Sequence, residues 1–207
     1  MAVSFDLFGT LVCVPSPSDP AAAVGDALDE RGVPVPADWD DAYRERHVDA
    51  PPGAETPLPA HVAAALRSRG VYAPGAVVRR AVAAAFDPDV RTREGAAVAL
   101  DAARTAGPVA LCSNCSVPGL VSRALARAEL DRDAFDAVVT SVGCGWRKPD
   151  ERAFHAVAAE LGVRADDLVH VGDDERTDGG VESVGGCYVD VSDAPLAELP
   201  QRLEATP

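Results

Sequence analysis

Hydrophobic and polar positions follow two different patterns along the chain. Residues 2–5 form a short apolar run, typical of a buried strand in a parallel sheet. From residue 14 to residue 88 there is no strand pattern, and amphipathic stretches are separated by Gly and Pro. Short apolar runs and amphipathic stretches then alternate along the rest of the chain. The sequence therefore predicts an α/β protein with a parallel, doubly wound sheet and a helical segment inserted after its first strand.

The inserted segment is predicted to contain four helices. Asp19 can cap the first of them, with Pro20 at its first position and Gly32 at its end. Residues 53–57 are predicted to form a loop. The four predicted helices span 20–31, 38–47, 59–69 and 73–86.

The rest of the chain is predicted to supply the other strands and the helices that cover them. Predicted strands span 109–112, 137–140, 168–171 and 187–191. Predicted helices span 93–105, 118–129 and 151–161, followed by a short helix near residue 200. Asp150 can cap the helix at 151–161. We therefore expect a core domain of residues 1–13 and 89–207 and a small helical domain of residues 14–88.

Polar side chains follow three of the predicted strands. Asp6 comes directly after the first strand, and Ser113 and Asn114 follow the second. Asp173 and Asp178 follow the fourth. Because open α/β sheets bind ligands at the carboxyl ends of their strands, we expect these side chains to converge on one edge of the sheet.

Lys148 is a further polar signal, in the loop before a predicted helix. It is the only lysine in a chain that has 18 arginines. A compact, rotatable ammonium differs chemically from a planar guanidinium, so we interpret Lys148 as a lysine that the chemistry of the site requires. The alternative is a solvated surface lysine.

Together these residues predict a site that handles phosphate. Asp6 is the predicted nucleophile, which attacks an electrophilic phosphorus or carbon atom. Ser113 and the backbone after it, at Asn114, would hydrogen-bond the transferring group, and Thr10 can offer a hydroxyl to an anion. Lys148 would neutralise the charge of the transferring group and of Asp6.

Magnesium is the predicted cofactor of this site. Mg2+ prefers one or two carboxylates together with water and substrate phosphate, so Asp6 and Asp173 are its predicted ligands. The backbone carbonyl of Phe8 can add a ligand. Asp178 can bind a metal-bound water.

Composition argues against several classes of partner. The net charge of −14 disfavours nucleic acid and anionic membranes, because phosphate groups are bound by Lys and Arg. No apolar run approaches the ~20 residues that span a membrane, and the apolar N-terminus lacks the basic leader of a signal peptide. We therefore expect a cytoplasmic protein, a monomer or a homodimer, that acts on a small-molecule substrate.

The five cysteines are expected to be free thiols. Their number is odd, and a cytoplasmic setting disfavours disulfides. Cys112 and Cys115 have the spacing of a metal or redox pair, but Cys112 ends a predicted strand and no second CxxC pair exists. Buried thiols are therefore the favoured interpretation.

The acidic composition predicts that stability depends on salt. Asp and Glu number 33 against 19 Lys and Arg, which resembles proteins of salt-loving, halophilic microbes, although a GC-rich genome alone explains a preference for Arg. If the acidic surface is a halophilic adaptation, the Tm should rise steeply between dilute buffer and molar KCl, because salt screens repulsion between the charges. Each kcal/mol of stability gained would raise the Tm by about 2–4 °C. Thermal unfolding in a KCl series measures this, and a flat Tm would leave only the genome-composition explanation.

Four motifs occur in order along the chain. They are DLFGT at residues 6–10, Ser113-Asn114, KPD at residues 148–150 and GDDERTD at residues 172–178. With these motifs the sequence resembles the haloacid dehalogenase-like (HAD) hydrolase superfamily. The resemblance covers the whole chain, because the helical segment is similar to that superfamily's cap domain. It implies a Rossmann-like core with a mobile cap over an aspartyl nucleophile. We predict a hydrolase that acts on a small phosphorylated metabolite.

Phe8 departs from the pattern of the superfamily's phosphatases. Those usually carry a second Asp two residues after the nucleophile as general acid and base, whereas an aromatic residue there resembles the haloacid dehalogenases. Dehalogenases typically lack the full acidic fourth motif and need no metal, whereas this chain has Asp173 and Asp178. We therefore predict a Mg2+-dependent phosphatase. The alternatives are a 2-haloacid dehalogenase and a non-catalytic or slow member that binds a phosphometabolite or a protein partner.

The missing second Asp leaves the source of the leaving group's proton open. General acid catalysis contributes ~10²–10⁴ in rate, so either another side chain supplies the proton or the leaving group is a good one. Asp174 and His47 are the candidate donors. Tyr43, Arg46 and His47 would share one face of the predicted helix at 38–47 by their i, i+3, i+4 spacing. That face is either a substrate-reading surface or a solvated helix surface.

Overall fold

Seven strands and ten α-helices occur in the computed structural model, which describes residues 1–15, 17–87, 89–192 and 194–205. The strands are β1 (Ala2–Phe5), β2 (Val12–Cys13), β3 (Arg91–Thr92), β4 (Val109–Ser113), β5 (Ala137–Thr140), β6 (Leu168–Gly172) and β7 (Cys187–Asp190). The helices are α1 (Pro20–Asp29), α2 (Trp39–Arg44), α3 (Leu58–Ser68), α4 (Gly75–Ala85), α5 (Ala96–Ala106), α6 (Leu120–Arg127), α7 (Ser141–Cys144), α8 (Glu151–Leu161), α9 (Glu175–Asp178) and α10 (Leu199–Glu204). Short 3-10 helices span Arg132–Ala134, Ala165–Asp167, Gly179–Val184 and Leu196–Glu198.

Five of the strands form one parallel sheet in the order β5-β4-β1-β6-β7. The central strand β1 pairs with β4, where Val3 is opposite Val109, and with β6, where Val3 is opposite Val169. The predicted α/β fold with a parallel sheet is therefore confirmed. The strands that precede Asp6, Ser113 and the acidic fourth motif are neighbours in this sheet.

Helices cover both faces of the sheet. Successive side chains of a strand point to opposite faces, and the strand β1 shows this in its packing. Val3 and Phe5 pack in the cluster that includes residues of α5 and α10, whereas Ala2 packs in the cluster that includes Phe154 and Val157 of α8. Both clusters are buried, as a doubly wound sheet requires.

The helices α1 to α4 of the inserted segment pack on one another. α1 contacts α2 and α4, and α3 contacts the same two helices. Asp19 caps α1 as predicted, because its Oδ1 accepts the Ala22 N–H at 3.0 Å. Trp39 of α2 donates its indole N–H to the Ala21 carbonyl at 2.8 Å and so joins α2 to α1.

The helix α2 is shorter than the prediction of 38–47. It ends at Arg44, and Glu45 has an extended backbone. The Glu45 carboxylate pairs with the Arg69 guanidinium at the end of α3, with an N–O distance of 2.8 Å. This tertiary contact accounts for the early end of a helix that local propensity alone would continue.

The strands β2 and β3 are too short for a hydrophobic pattern to reveal them. They pair in antiparallel fashion, with Val12 opposite Thr92, and bring the two ends of the inserted segment together. Next to them, Arg93 donates to the carbonyls of Gly9 at 2.7 Å and Val191 at 3.1 Å. This side chain fixes the turn that follows β1.

The division into a core of residues 1–13 and 89–207 and a helical domain of residues 14–88 stays a prediction. Its boundary at Pro88 and its last residue, Pro207, lie outside the described residues. In the part of the chain that the structure describes, β2 and β3 pair where the chain passes between the two predicted parts.

The cysteines are free thiols, as the sequence predicts. All five cysteines are free, and Cys112 and Cys115 are buried. Burial raises the pKa of the Cys112 thiol to about 12, which disfavours the thiolate that metal binding or thiol exchange requires.

Every helix in the described ranges is too short or too polar to cross a lipid bilayer.

Candidate active site

Asp6 lies at the carboxyl end of the central strand, where the chain leaves the sheet. Its backbone N–H donates to the Val171 carbonyl of β6 at 2.9 Å. Gly9 then turns the chain with a φ of 94°, in the left-handed region that favours glycine. A Cβ at Gly9 would lie 2.3 Å from Asp173 Oδ2, so a side chain there would displace the Asp173 carboxylate.

Lys148 occupies the centre of the site, and its side chain is only 1% exposed. Nζ donates to Asp6 Oδ1 at 2.9 Å and to Asp178 Oδ1 at 2.6 Å, and it lies 3.3 Å from His170 Nε2. These three partners match the three N–H donors of an ammonium group. Lys148 is therefore a buried residue of the site and not a solvated surface lysine.

A buried histidine extends this network into the middle of the sheet. His170 of β6 lies with its Nδ1 2.8 Å from Ser4 Oγ of β1. His170 Nε2 lies 3.3 Å from Lys148 Nζ and 3.2 Å from Asp178 Oδ1. It accepts from Lys148 when the ring proton is on Nδ1, and it donates to Asp178 when the proton is on Nε2. The ring therefore contacts both the Lys148 ammonium and the Asp178 carboxylate and joins them to Ser4.

Burial and mutual attraction set the charges of these groups. Burial raises the pKa of Asp6, and the Lys148 ammonium opposes that shift. Burial alone would lower the pKa of Lys148, but the carboxylates of Asp6 and Asp178 outweigh it and raise that pKa. Burial and the Lys148 charge lower the pKa of His170 to about 4. Burial alone would raise the pKa of Asp178, but His170 and Lys148 reverse the shift and hold it well below its usual range.

Three carboxylates converge beside the nucleophile. Asp6, Asp173 and Asp178 each offer an oxygen, and the three oxygens lie within 4.8 Å of one another. Thr10 donates its hydroxyl to Asp173 Oδ1 at 2.8 Å, and the Asp174 N–H donates to Asp178 Oδ2 at 3.1 Å. Hard carboxylate oxygens in this number suit Mg2+, so the residues present fit the predicted cofactor.

Ser113 carries a buried hydroxyl that has no hydrogen-bond partner among the described residues. It ends β4, one residue before Asn114, and only 2% of the residue is exposed. An unpaired buried polar group is costly unless a ligand or water satisfies it. The Ser113 hydroxyl is therefore suited to the predicted role of binding the transferring group.

Asn114 clamps the backbone of the lysine loop. Its Nδ2 donates to the Lys148 carbonyl at 2.9 Å, and its Oδ1 accepts the Lys148 N–H at 2.8 Å. The Asn114 amide therefore positions Lys148, just as the buried Thr10 hydroxyl positions Asp173. Substrate contacts by Asn114 and Thr10, and a metal contact by the Phe8 carbonyl, stay predictions.

The inserted segment contacts the loops beside this site through Glu55, a residue that the sequence patterns missed. Its side chain is 2% exposed, and Oε2 accepts the Ser141 hydroxyl at 2.5 Å. Ser141 Oγ in turn accepts the Cys115 N–H at 2.8 Å. Arg147, next to Lys148, pairs with the same carboxylate at 3.4 Å. Glu55 thus links the segment to the loops that carry Ser113 and Lys148.

The two candidate proton donors have other partners. Asp174 lies on the surface, where its carboxylate pairs with Arg176 at 3.0 Å, and this hydrogen bond holds the pKa of Asp174 below its usual range. His47 places its Nε2 2.6 Å from the Ala42 carbonyl. A carboxyl group with a lowered pKa is a poorer proton donor at neutral pH, so the structure adds no support for Asp174, and both candidate donors stay predictions.

The predicted helical face of Tyr43, Arg46 and His47 does not exist, because α2 ends at Arg44. The prediction that the three residues share one helical face is therefore wrong. All three nevertheless line a cavity of about 1120 Å3, which the loop after α2 helps to form. The rings of His47 and His61 lie there with centroids 5.9 Å apart and are tilted by 40° to each other.

Two contributors to the site left only weak signals in the sequence. His170 interrupts an apolar strand, and a polar residue at a buried strand position is the one pattern that could have indicated it. Glu55 lies in a loop, and its partner Ser141 lies 86 residues away in the sequence. No local periodicity encodes such a contact.

Comparison with known proteins supports the resemblance. A family model described as haloacid dehalogenase-like hydrolase matches residues 1–179. No curated protein sequence matches the chain significantly.

Several solved structures share this fold. A 2-haloacid dehalogenase from Pseudomonas syringae pv. Tomato has a TM-score of 0.71 at 22% identity, covering 99% of this chain and 98% of that chain. An L-2-haloacid dehalogenase from Xanthobacter autotrophicus has a TM-score of 0.61 at 19% identity, covering 100% and 99%. A predicted phosphoglycolate phosphatase from Haemophilus somnus has a TM-score of 0.59 at 17% identity, covering 99% and 96%. At these identities the similarity establishes the fold alone.

Proposed function

Because the chain belongs to the haloacid dehalogenase-like hydrolase family, we propose that it is a Mg2+-dependent phosphatase of a small phosphorylated metabolite. Asp6 is its nucleophile, and residues 14–88 serve as the cap over the site. The single observation that carries this proposal is the convergence of Asp6, Asp173 and Asp178 within 4.8 Å. Three carboxylates at one point repel one another unless cations balance them, and Lys148 supplies only one positive charge.

Asp6, Asp173 and Asp178 would hold the ion. When bound, Mg2+ supplies positive charge that stabilises the negative charge of a phosphoryl group during transfer. Thr10 and the close approach of Gly9 keep the Asp173 carboxylate in place for this purpose.

The chain's own residues account for the rest of the reaction. The Asp6 carboxylate is only 13% exposed and accepts the Lys148 hydrogen bond through Oδ1. It attacks the phosphorus atom, the bond from phosphorus to the leaving oxygen breaks, and that oxygen departs with the electron pair. Lys148 balances the charge of the attacking carboxylate, and the unpaired Ser113 hydroxyl donates to the transferring group. Water then attacks the phosphorus of the aspartyl phosphate and restores Asp6.

Phe8 favours a second candidate, a 2-haloacid dehalogenase. The position two residues after the nucleophile carries an apolar, half-buried ring and cannot donate a proton. Attack of Asp6 on a carbon atom that bears a halogen needs no proton, because halide is a stable leaving group. Two of the three solved structures reported for comparison are named as 2-haloacid dehalogenases.

A turnover screen separates the two candidates. The protein is incubated with a panel of phosphate monoesters and, separately, with 2-chloro acids, each with Mg2+ and with a chelator. We expect release of inorganic phosphate that requires Mg2+. Halide release that persists with the chelator would overturn the proposal in favour of the dehalogenase, and absence of both products would favour a binding protein.

Replacement of Phe8 with aspartate tests whether the site lacks a general acid for the leaving group. Phe8→Asp should raise kcat/KM for alkyl phosphates relative to aryl phosphates by at least about tenfold, because a general acid helps most when the leaving group is poor. The new carboxylate adjoins Asp6 and Asp173, so a higher Mg2+ requirement or some loss of stability is also expected. The measurement is the alkyl-to-aryl ratio of kcat/KM in both proteins at saturating Mg2+. A ratio that does not rise would mean that another group already supplies the proton or that phosphate transfer is not the reaction.

A further inference from the structure

A cavity of about 570 Å3 lies beside the loop that follows the nucleophile. Phe8, two residues after Asp6, and Asn114, next to Ser113, both line it. The end of α4 and the start of α6 complete its wall. The cavity therefore adjoins the phosphoryl-binding residues of the proposed phosphatase, where the organic part of a substrate would lie.

The wall of this cavity is mostly apolar. Phe8, Val14, Phe86, Val117 and Leu120 contribute to it, and two of these five side chains are aromatic. Apolar walls of this kind bind apolar groups by removing both surfaces from water. Aromatic rings add a preference for a second ring in edge or offset contact.

The charges around the cavity disfavour a second anion on the substrate. Among the described residues that line it there is no Lys, Arg or His, whereas Asp87 and Asp89 are present. Asp87 already pairs with Arg127 at 2.7 Å. Arg123 also lies 3.8 Å from Asp87, so the charge of this carboxylate is balanced, but neither arginine is among the described residues that line the cavity. A carboxylate or second phosphate placed here would lose water without a cation in the wall to compensate.

The larger cavity, of about 1120 Å3, has no arginine without a carboxylate partner among the described residues that line it. It adjoins the smaller cavity at Ser116, which lines both. Its three arginines have carboxylate partners within the protein: Arg44 pairs with Asp40, Arg46 with Asp49 and Arg147 with Glu55. An acidic substrate would compete with these carboxylates for the arginines.

The side chain of Phe8 cannot donate a proton, and this limits which leaving groups the site can release. A phenol has a pKa of about 10, as tyrosine does, so a phenolate departs with little help from an acid. An alkoxide needs that help. We infer that the substrates are aryl phosphate monoesters whose organic group is apolar and carries no second negative charge. This inference rests on the proposed phosphatase function.

Steady-state kinetics with three probes test the inference. Phenyl phosphate is compared with butyl phosphate, which is apolar without a ring, and with phosphoglycolate, which carries a carboxylate. With Mg2+ present, kcat/KM for phenyl phosphate should exceed that for each of the others by at least about tenfold. Phenylphosphonate, which cannot be hydrolysed, should also inhibit at lower concentration than phosphonoacetate.

A matched pair of variants locates the preference in the cavity. Ala84 and Ala76 are both exposed positions of α4, but only Ala84 lines this cavity. Ala84→Arg adds a cation to the wall and should lower the ratio of phenyl phosphate to phosphoglycolate several-fold. Ala76→Arg makes the same change elsewhere on the helix and should leave the ratio unchanged.

The outcomes separate this inference from the function on which it rests. Mg2+-dependent phosphate release that is fastest with phosphoglycolate or butyl phosphate would overturn the substrate class and leave the phosphatase proposal standing. If Ala84→Arg and Ala76→Arg changed the ratio of phenyl phosphate to phosphoglycolate equally, the cavity would not be the source of the preference. Failure to release phosphate from all three probes would overturn the inference, and failure with the whole panel of phosphate monoesters would overturn the proposed function as well.

Discussion

Replacement of Asp6 with asparagine is expected to abolish turnover and leave the fold intact. The amide is nearly isosteric with the carboxylate and still accepts a hydrogen bond from Lys148, whose ammonium also remains paired with Asp178. An amide is a poor nucleophile, so kcat should fall by at least about 10⁴-fold. The measurement is product release under saturating substrate and Mg2+, together with the Tm of both proteins.

A second asparagine variant controls for the change in chemistry. Asp26 is an exposed residue of α1, far from the site in sequence, and Asp26→Asn should keep the activity of the original protein. If Asp6→Asn retained more than a small fraction of that activity, Asp6 would not be the attacking group. A large fall in Tm for Asp6→Asn would instead show that the carboxylate has a structural role.

Replacement of Asp173 with alanine is expected to remove Mg2+ binding and activity together. Asp173 is one of the three converging carboxylates, and no hydrogen bond to Lys148 holds it as it holds the other two. Metal ions contribute several kcal/mol of transition-state stabilisation, which corresponds to a loss of about 10²–10⁴-fold in kcat/KM. Titration calorimetry with Mg2+ measures the binding directly, and kinetics measure the loss.

The neighbouring aspartate provides the control for this variant. Asp174 caps α9 and pairs with Arg176 on the surface, so Asp174→Ala should cost about 1 kcal/mol of stability through the lost cap and leave Mg2+ binding unchanged. If the original protein showed no Mg2+ binding in the millimolar range, the dehalogenase would become the better account. If both variants bound Mg2+ equally well, Asp173 would not be a ligand.

The sequence predicted those parts of the fold that local patterns encode. The buried strand β1, with Asp6 at its end, and the helix α8, between its cap at Asp150 and Gly162, lie where the pattern places them. Each is defined by a hydrophobic period together with a residue that begins or ends the element. The convergence of the motifs also follows, because the carboxyl ends of neighbouring parallel strands meet at one edge.

The features that the sequence did not predict depend on contacts between distant residues. The helix α2 ends early beside the ion pair between Glu45 and Arg69, 24 residues apart in sequence, where helix propensity would continue it. Glu55 contacts the loops beside the site through Ser141, which is 86 residues away in the sequence. His170 is recognisable as a partner of Lys148 only once β1 and β6 are paired.

Labelled water tests most directly whether Asp6 attacks phosphorus or carbon. The protein is allowed many turnovers in oxygen-18 water on an equimolar mixture of an aryl phosphate and a 2-chloro acid, with Mg2+. Mass spectrometry then locates the label in the small products and in the peptide that contains Asp6. We predict label in inorganic phosphate and none in Asp6, because water attacks the phosphorus of the aspartyl phosphate and returns the carboxylate with its original oxygens. Label in the Asp6 carboxylate, with a 2-hydroxy acid formed and no phosphate released, would contradict the account, since it requires water to attack the carbonyl carbon of an ester formed at Asp6.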